Sequence, residues 1–296
     1  MADKHGWDLA RGEDIAPGLV AMRLLGGGER YEAYLAFDEV RYCPAVVKVV
    51  RPDQVDDTAA LRGLRREYDL AARLVHPGLP RAYALVEDGP RPLLVLEHVE
   101  GPRLSTLLRK HGALPLHQLL PLAIEVAGVL HYLGHEQVVH LDVKPSNIVM
   151  GSPPKLIDLS IARPVEEARQ VRHVLGTDRY LAPEQADPER FGGVGTPADV
   201  WGLAATLAEA ASGVRPFRDG VRDDGARPEE RWPQLVEPAQ PLPPSVPAPI
   251  ARALTACLDP DPAHRPRPAQ LAEAMEPVLA ALPKPVLAGL KPGRSA

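Results

Sequence analysis

Cysteine is scarce: the chain of 296 residues holds two, Cys43 and Cys257. They lie far apart and make no metal-ligand or redox spacing, which argues against a disulfide scaffold or a cysteine zinc site. Two unpaired thiols fit a reducing compartment. No uninterrupted apolar run reaches the roughly 18 residues that a membrane-crossing helix needs. The start, Met1 to Asp8, has no signal-peptide core, so a cytoplasmic protein without a membrane span is expected. An excess of positive charge is also missing, since 34 Lys and Arg against 39 Asp and Glu give a formal charge of -5. Neither nucleic acid nor an anionic membrane is therefore expected as a partner. The chain carries no internal repeat.

What is there describes a cored, globular protein. Hydrophobic residues make up 45% and charged residues 25%, and the length suits one large domain or two lobes sharing a cleft. The first part reads as strands over Leu19–Leu25, Tyr31–Phe37 and Ala45–Val50, with Gly26-Gly27-Gly28 between the first two. Asp56 to Val75 reads as a helix with Ala60, Leu64, Glu67, Ala71 and Leu74 on one face, stopped by His76-Pro77-Gly78. Strands over Arg81–Val86 and Leu93–Val99 follow. Beyond Gly101-Pro102 the pattern is helical. Pro115–His135 and Thr196–Ser212 are apolar nearly all round and so buried. Thr196 is a candidate cap, with Pro197 opening the helix. Further helices are predicted over Pro247–Leu258 and Pro268–Leu282. Arg218–Pro247 reads as polar loop with little helix, and Pro283–Ala296 as a disordered basic tail.

The informative residues are charges where periodicity demands burial. Lys48 interrupts Val46-Val47-Lys48-Val49-Val50, and Glu67 sits on the apolar helix face. A lone buried charge is very costly, so the economical solution is that the two pair. The alternative is two snorkelling surface side chains. In Val138–Val149, His140, Asp142, Lys144 and Asn147 are packed between apolar pairs, as in a rigid loop between short strands. In Leu156-Ile157-Asp158-Leu159 an aspartate ends an apolar strand.

Read in chain order, these motifs resemble the protein-kinase family, in particular its bacterial, eukaryotic-like (Hanks-type) serine/threonine members. Leu25, Gly26 and Gly28, followed by Tyr31 and Ala33, resemble the glycine-rich loop over ATP. Lys48 resembles the phosphate-holding lysine and Glu67 its helix partner. His140-Leu141-Asp142 with Lys144 and Asn147 resembles the catalytic loop, and Asp158-Leu159-Ser160 the magnesium-binding triplet. Ala182-Pro183-Glu184, Asp199 and Arg265 match later family anchors. The resemblance spans about Leu19 to Leu282.

It implies an α+β, bilobal fold. Residues 19–99 would form a small β-rich N-lobe with one main helix, and 100–282 a larger, mostly α-helical C-lobe. Residues 1–18 would be an N-terminal extension and 283–296 a tail. It implies ATP and Mg2+ as cofactors, a protein Ser/Thr hydroxyl as substrate, Asp142 as base, Lys144 as charge balance, and Asn147 and Asp158 as metal ligands. Glu97 and Val99 would meet adenine beside the gatekeeper Leu96, with Ala33 and Val46 as roof and Val149 as floor. Lys144 and Gly176-Thr177 resemble serine/threonine rather than tyrosine kinases.

The departures carry information too. Tyr31 replaces the third glycine of the loop; its ring either shields the phosphates or packs outward. Leu141 replaces the arginine that usually receives an activating phosphate, and Ile161–Gly176 contains no Ser, Thr or Tyr. These two absences agree with each other. Ser160 replaces a glycine, which suggests a segment that flips less readily. A pseudokinase scaffold and a small-molecule phosphotransferase are the alternatives. Intact Lys48, Asp142, Asn147 and Asp158 oppose the first, and Ala182-Pro183-Glu184, Asp199 and Arg265 oppose the second.

Overall fold

A computed structural model describes residues 6–223 and 225–283. Of the predicted tail over 283–296, residues 284–296 lie outside them. The chain opens with β1 (Asp14–Ala16), β2 (Leu19–Gly27), β3 (Tyr31–Asp38) and β4 (Cys43–Val50), then α1 (Thr58–Arg73), β5 (Ala82–Val86) and β6 (Leu93–Glu97). These strands form one antiparallel sheet in the order β1-β2-β3-β4-β6-β5. The last strand ends at Glu97, so His98 and Val99 lie in the connection that follows it.

Strict alternation sorts β3 into two faces. Glu32, Tyr34, Ala36 and Asp38 are buried on one, while Tyr31, Ala33, Leu35 and Phe37 are half-buried on the other, as the period of two requires. The first face is covered by the N-terminal segment. Ile15, with Trp7 and Leu9, packs over Tyr34, Ala36, Ala45, Val47 and Val95. Trp7 donates its indole N–H to the Val50 carbonyl at 2.7 Å and its backbone N–H to Glu32 at 3.0 Å. An extension ending at residue 18 is thus corrected: Asp14–Ala16 is an edge strand of the sheet. It is too short for a hydrophobic period to register.

The helical lobe begins with α2 (Leu104–His111) and α3 (Leu116–His135). Short pairs follow: β7 (Val138–Val139) with β10 (Arg163–Pro164), and β8 (Ile148–Val149) with β9 (Lys155–Leu156). Then come the short α4 (Val165–Ala168), α5 (Pro183–Ala186) and α6 (Pro188–Phe191), the long α7 (Thr196–Ser212), and α8 (Pro228–Arg231), α9 (Ala248–Cys257) and α10 (Pro268–Ala280). By length and composition α3 could cross a membrane. Here its Leu119, Leu120, Leu122, Val126, Val129 and Leu133 are buried in the core shared with α7, α9 and α10. That packing accounts for its apolar character. The cap of α7 differs from expectation: Gly195 precedes the helix, and Thr196 is its first residue without a capping side-chain bond. Gly213, in the left-handed region at φ 78°, closes it.

The stretch 218–247 is largely loop, as its composition predicts, but it is anchored. Trp232 and Leu235 are buried with Leu181 and Ala186. The Trp232 indole donates to Asp178 Oδ1 at 3.0 Å, and Gln234 donates to the carbonyls of Asp178 and Leu181.

Candidate active site

The cleft between the lobes is a cavity of about 440 Å3, lined by Leu25, Ala33, Val46, Lys48, Glu67, Leu96, Glu97, Val99, Asn147, Val149 and Asp158 among others. That size is ordinary for a small-molecule site. The predicted roof, floor and connection residues therefore share one cavity. Arg23, His98, Arg103 and Thr106 also line it; each is a polar residue in a surface-like context, so none is singled out by periodicity or motif.

Lys48 alternates with the buried Val47 and Val49 on β4, so its side chain turns to the cleft. Its ammonium lies 2.9 and 2.6 Å from the two Glu67 oxygens and 3.0 Å from Asp158 Oδ1. Glu67 is delivered by α1, whose Ala60, Leu64 and Glu67 are all buried. That helix is started by Asp57, which accepts the Ala59 N–H at 2.8 Å. Burial alone would lower the lysine, but Asp158 and Glu67 outweigh it and hold the ammonium above its ordinary value. The cleft walls disfavour charge on Asp158, yet Lys48 holds that carboxyl well below the usual range. Burial pushes the Glu67 carboxyl up, against the pull of Lys48.

The second cluster centres on Asp142. Its Oδ1 accepts the Thr177 hydroxyl at 2.7 Å, and its Oδ2 accepts Lys144 at 2.6 Å and Asn147 at 2.9 Å. Lys144 also donates to Thr177 Oγ1 at 2.5 Å. Thr177 arrives through Gly176, whose φ of 127° and contact with Leu141 leave no room for a Cβ: one would lie 2.8 Å from the Leu141 carbonyl oxygen. The loop itself is suspended from α7, where Asp199 accepts the backbone N–H groups of His140 and Leu141 at 2.7 and 2.8 Å. Burial pushes the Asp199 carboxyl up to about 7 even against those two amides. His140 is fully buried, and that burial lowers its pKa. Its Nδ1 accepts the Asp142 N–H at 3.3 Å, and its Nε2 lies 3.3 Å from the Ile157 carbonyl.

Two expectations need correction. Gly26 and Gly28 are absent from the cavity lining. The Gly28 N–H is engaged with the Tyr31 carbonyl at 2.9 Å, closing the β2–β3 turn, so this amide is not directed at a phosphate. Tyr31 shares a face with Ala33 but does not line the cavity; its hydroxyl reaches the Ala60 carbonyl on α1. In the triplet Asp158-Leu159-Ser160 it is Asp158, at φ 71°, that takes the left-handed conformation, while Ser160 does not.

Leu141 is buried with Val139, Val165, Ala168 and Val194, and Ile161 and Leu175 of the following segment pack on the same cluster. Gln185 ties the two segments together: its amide donates to the carbonyls of Leu141 and Leu175, both at 2.9 Å. Sequence reasoning missed Gln185, whose only signal is its place directly after Ala182-Pro183-Glu184.

The family model described as protein kinase domain matches residues 19–275. The serine/threonine-protein kinase PknB of Mycobacterium leprae is 32% identical over 226 residues, covering 70% of this chain and 36% of that protein. PrkC of Bacillus subtilis, also a serine/threonine-protein kinase by name, is 32% identical over 212 residues, covering 70% and 32%. PknA of Mycobacterium tuberculosis is 32% identical over 254 residues, covering 82% and 57%. The chain thus spans about a third of the length of the first two relatives and somewhat more than half of the third. A match that runs unbroken through both lobes and the cleft between them has one meaning: the chain belongs to the protein kinase family.

Proposed function

We propose that the chain is a serine/threonine protein kinase that moves the γ-phosphoryl of ATP, with Mg2+, onto a protein hydroxyl. The observation that carries this reading is the setting of Asp142. Three donors fix its two oxygens, yet a carboxylate has about four acceptor sites, so one remains for a substrate hydroxyl.

The residues present fit the nucleotide and its metal. Ala33, Val46 and Val149 give apolar walls for a base, with Glu97 and Val99 beside them. Asn147 spends its amide N–H groups on Asp142, which leaves its Oδ1 as an oxygen ligand, and Asp158 supplies a second. Among the described residues no three His, Cys, Asp or Glu gather to hold a metal alone, so Mg2+ would take its other ligands from phosphate and water. Bound Mg2+ neutralises phosphate charge, and ATP supplies the phosphoryl group. Lys48 would hold the α- and β-phosphates, steadied by Glu67. Asp142 would orient the attacking hydroxyl and take its proton, while Lys144 balances charge on the transferred group.

The segment from Ile161 to Gly176 is docked on Leu141 and Gln185 by apolar packing and amide bonds, with no phosphorylatable residue within it. On this reading the kinase is not switched on by phosphorylation there. The free thiols of Cys43 and Cys257 accord with a cytosolic setting.

The test is incubation with labelled ATP, Mg2+ and a generic protein substrate beside Asp142→Asn. Label on serine or threonine is expected from the unaltered chain, and about 10²- to 10⁴-fold less from the variant. Nucleotide binding without transfer, alike in both, would favour a pseudokinase instead.

A further inference from the structure

Tyr31 occupies the position of the loop's third glycine and makes a contact that glycine cannot. Its hydroxyl donates to the backbone carbonyl of Ala60, near the start of α1, at 2.7 Å. A second oddity faces it. Gly63 stands inside α1, where glycine weakens a helix relative to alanine. A Cβ at position 63 would lie 2.5 Å from the Tyr31 hydroxyl. The tyrosine in the loop and the glycine in the helix are therefore one feature, a hydroxyl seated in a notch.

The notch bears on the cleft through helical geometry. Ala60, Leu64 and Glu67 follow one another along a single buried face of α1. Fixing Ala60 fixes the rotation and height at which Glu67 meets Lys48. On the sheet side, Tyr31 pairs with Val50 and Ala33 with Lys48 across β3 and β4. Sheet and helix are thus joined at two points in register, Lys48–Glu67 and Tyr31–Ala60. The tyrosine ring lies 5.5 Å from the Lys48 ammonium and packs on the core that holds Ala60 and Leu64.

We propose that Tyr31 is a positioning residue: its hydroxyl, seated in the Gly63 notch, clamps α1 to the sheet and keeps Glu67 on Lys48. The consequence for turnover rests on the kinase reading above; the clamp itself concerns only α1.

Hydrogen exchange along Thr58–Arg73, with kcat and the KM for ATP, tests it in Tyr31→Phe, Gly63→Ala and the double variant. Phenylalanine keeps the ring, and amides of α3 and α7 report whether the rest of the fold is intact. Tyr31→Phe is expected to speed exchange in α1 about 3- to 10-fold, the net effect of one hydrogen bond. Gly63→Ala is expected to speed it too and to lower kcat. The double variant should recover to the Tyr31→Phe level or better, because the Cβ then meets no hydroxyl. Unchanged α1 exchange in Tyr31→Phe, or additive damage in the double variant, would overturn the clamp. Altered α1 exchange in a chain that transfers no phosphoryl group would keep the clamp and sink the kinase reading instead.

Discussion

Arg265 and Glu184 meet as a two-pronged ion pair, with N–O distances of 2.7 and 2.8 Å and both side chains sealed from solvent. The guanidinium also donates to the carbonyls of Pro197, Asp259 and Pro260 and lies 4.9 Å from the centre of the Trp201 ring. One residue thus ties the end of the segment that carries Thr177 to α7 and to the turn before α10. Removing one partner leaves the other charge buried and alone. Arg265→Ala and Glu184→Ala should each cost about 3–5 kcal/mol of stability. The double variant should cost less than their sum, as read by urea unfolding.

Thr177 joins the two groups that the proposed chemistry uses. Thr177→Val keeps the shape but removes the bonds to Asp142 and Lys144. Hydrogen bonds to charged groups carry about 1.5–3 kcal/mol, so kcat should drop roughly 10- to 100-fold with nucleotide affinity unchanged. Thr177→Ser should retain most of the rate. Steady-state kinetics beside nucleotide titration separates the two effects.

Phosphatase treatment of the purified protein should leave kcat within about 2-fold, since the Ile161–Gly176 segment is docked by Leu141 and Gln185. Gln185→Leu should do the damage that dephosphorylation does not. It strands the carbonyls of Leu141 and Leu175, at about 1–3 kcal/mol, and should open this segment to limited proteolysis before the rest of the chain.

His140 gives stability a pH dependence of known sign. Burial holds its folded pKa below the value of about 6.5 expected when unfolded. Its contribution is present above pH 6.5 and is lost as pH falls toward the folded pKa, because only the unfolded chain takes up the proton. Between pH 6.5 and 5 the unaltered protein should lose up to ~1.4 kcal/mol per pH unit more than His140→Phe, measured by denaturant titration across that range.

Where burial and charge conflict, the sequence was a good guide. Lys48 in an apolar strand and Glu67 on an apolar helix face could be paired from periodicity alone, and they meet at 2.6 Å. Position along a strand tells which face a side chain takes, but not how it leans. Tyr31 therefore shared a side with Ala33 on paper, while in space its hydroxyl turns away to a helix carbonyl. Contacts made through main-chain groups left no trace either: the Asp199 bonds to His140 and Leu141 depend on backbone N–H groups that every residue but proline carries. Arg51 was invisible for another reason. Its partner Glu32, 3.3 Å away, lies on the face of β3 opposite the cleft, where no motif reaches.

That outer face has a practical consequence. Glu32 accepts bonds from Trp7 and Tyr34, and Arg51 passes from Glu32 to the Gly28 carbonyl at 2.8 Å. A polypeptide trimmed to begin where the family match begins, at residue 19, would lose Trp7, Leu9 and Ile15 and leave Tyr34, Ala36, Val47 and Val95 wet. It would present a sticky apolar plate prone to self-association, and the outer face of the β2–β3 hairpin would lose the Trp7 bond to Glu32. The packed N-lobe thus draws on residues upstream of the region that the family model matches.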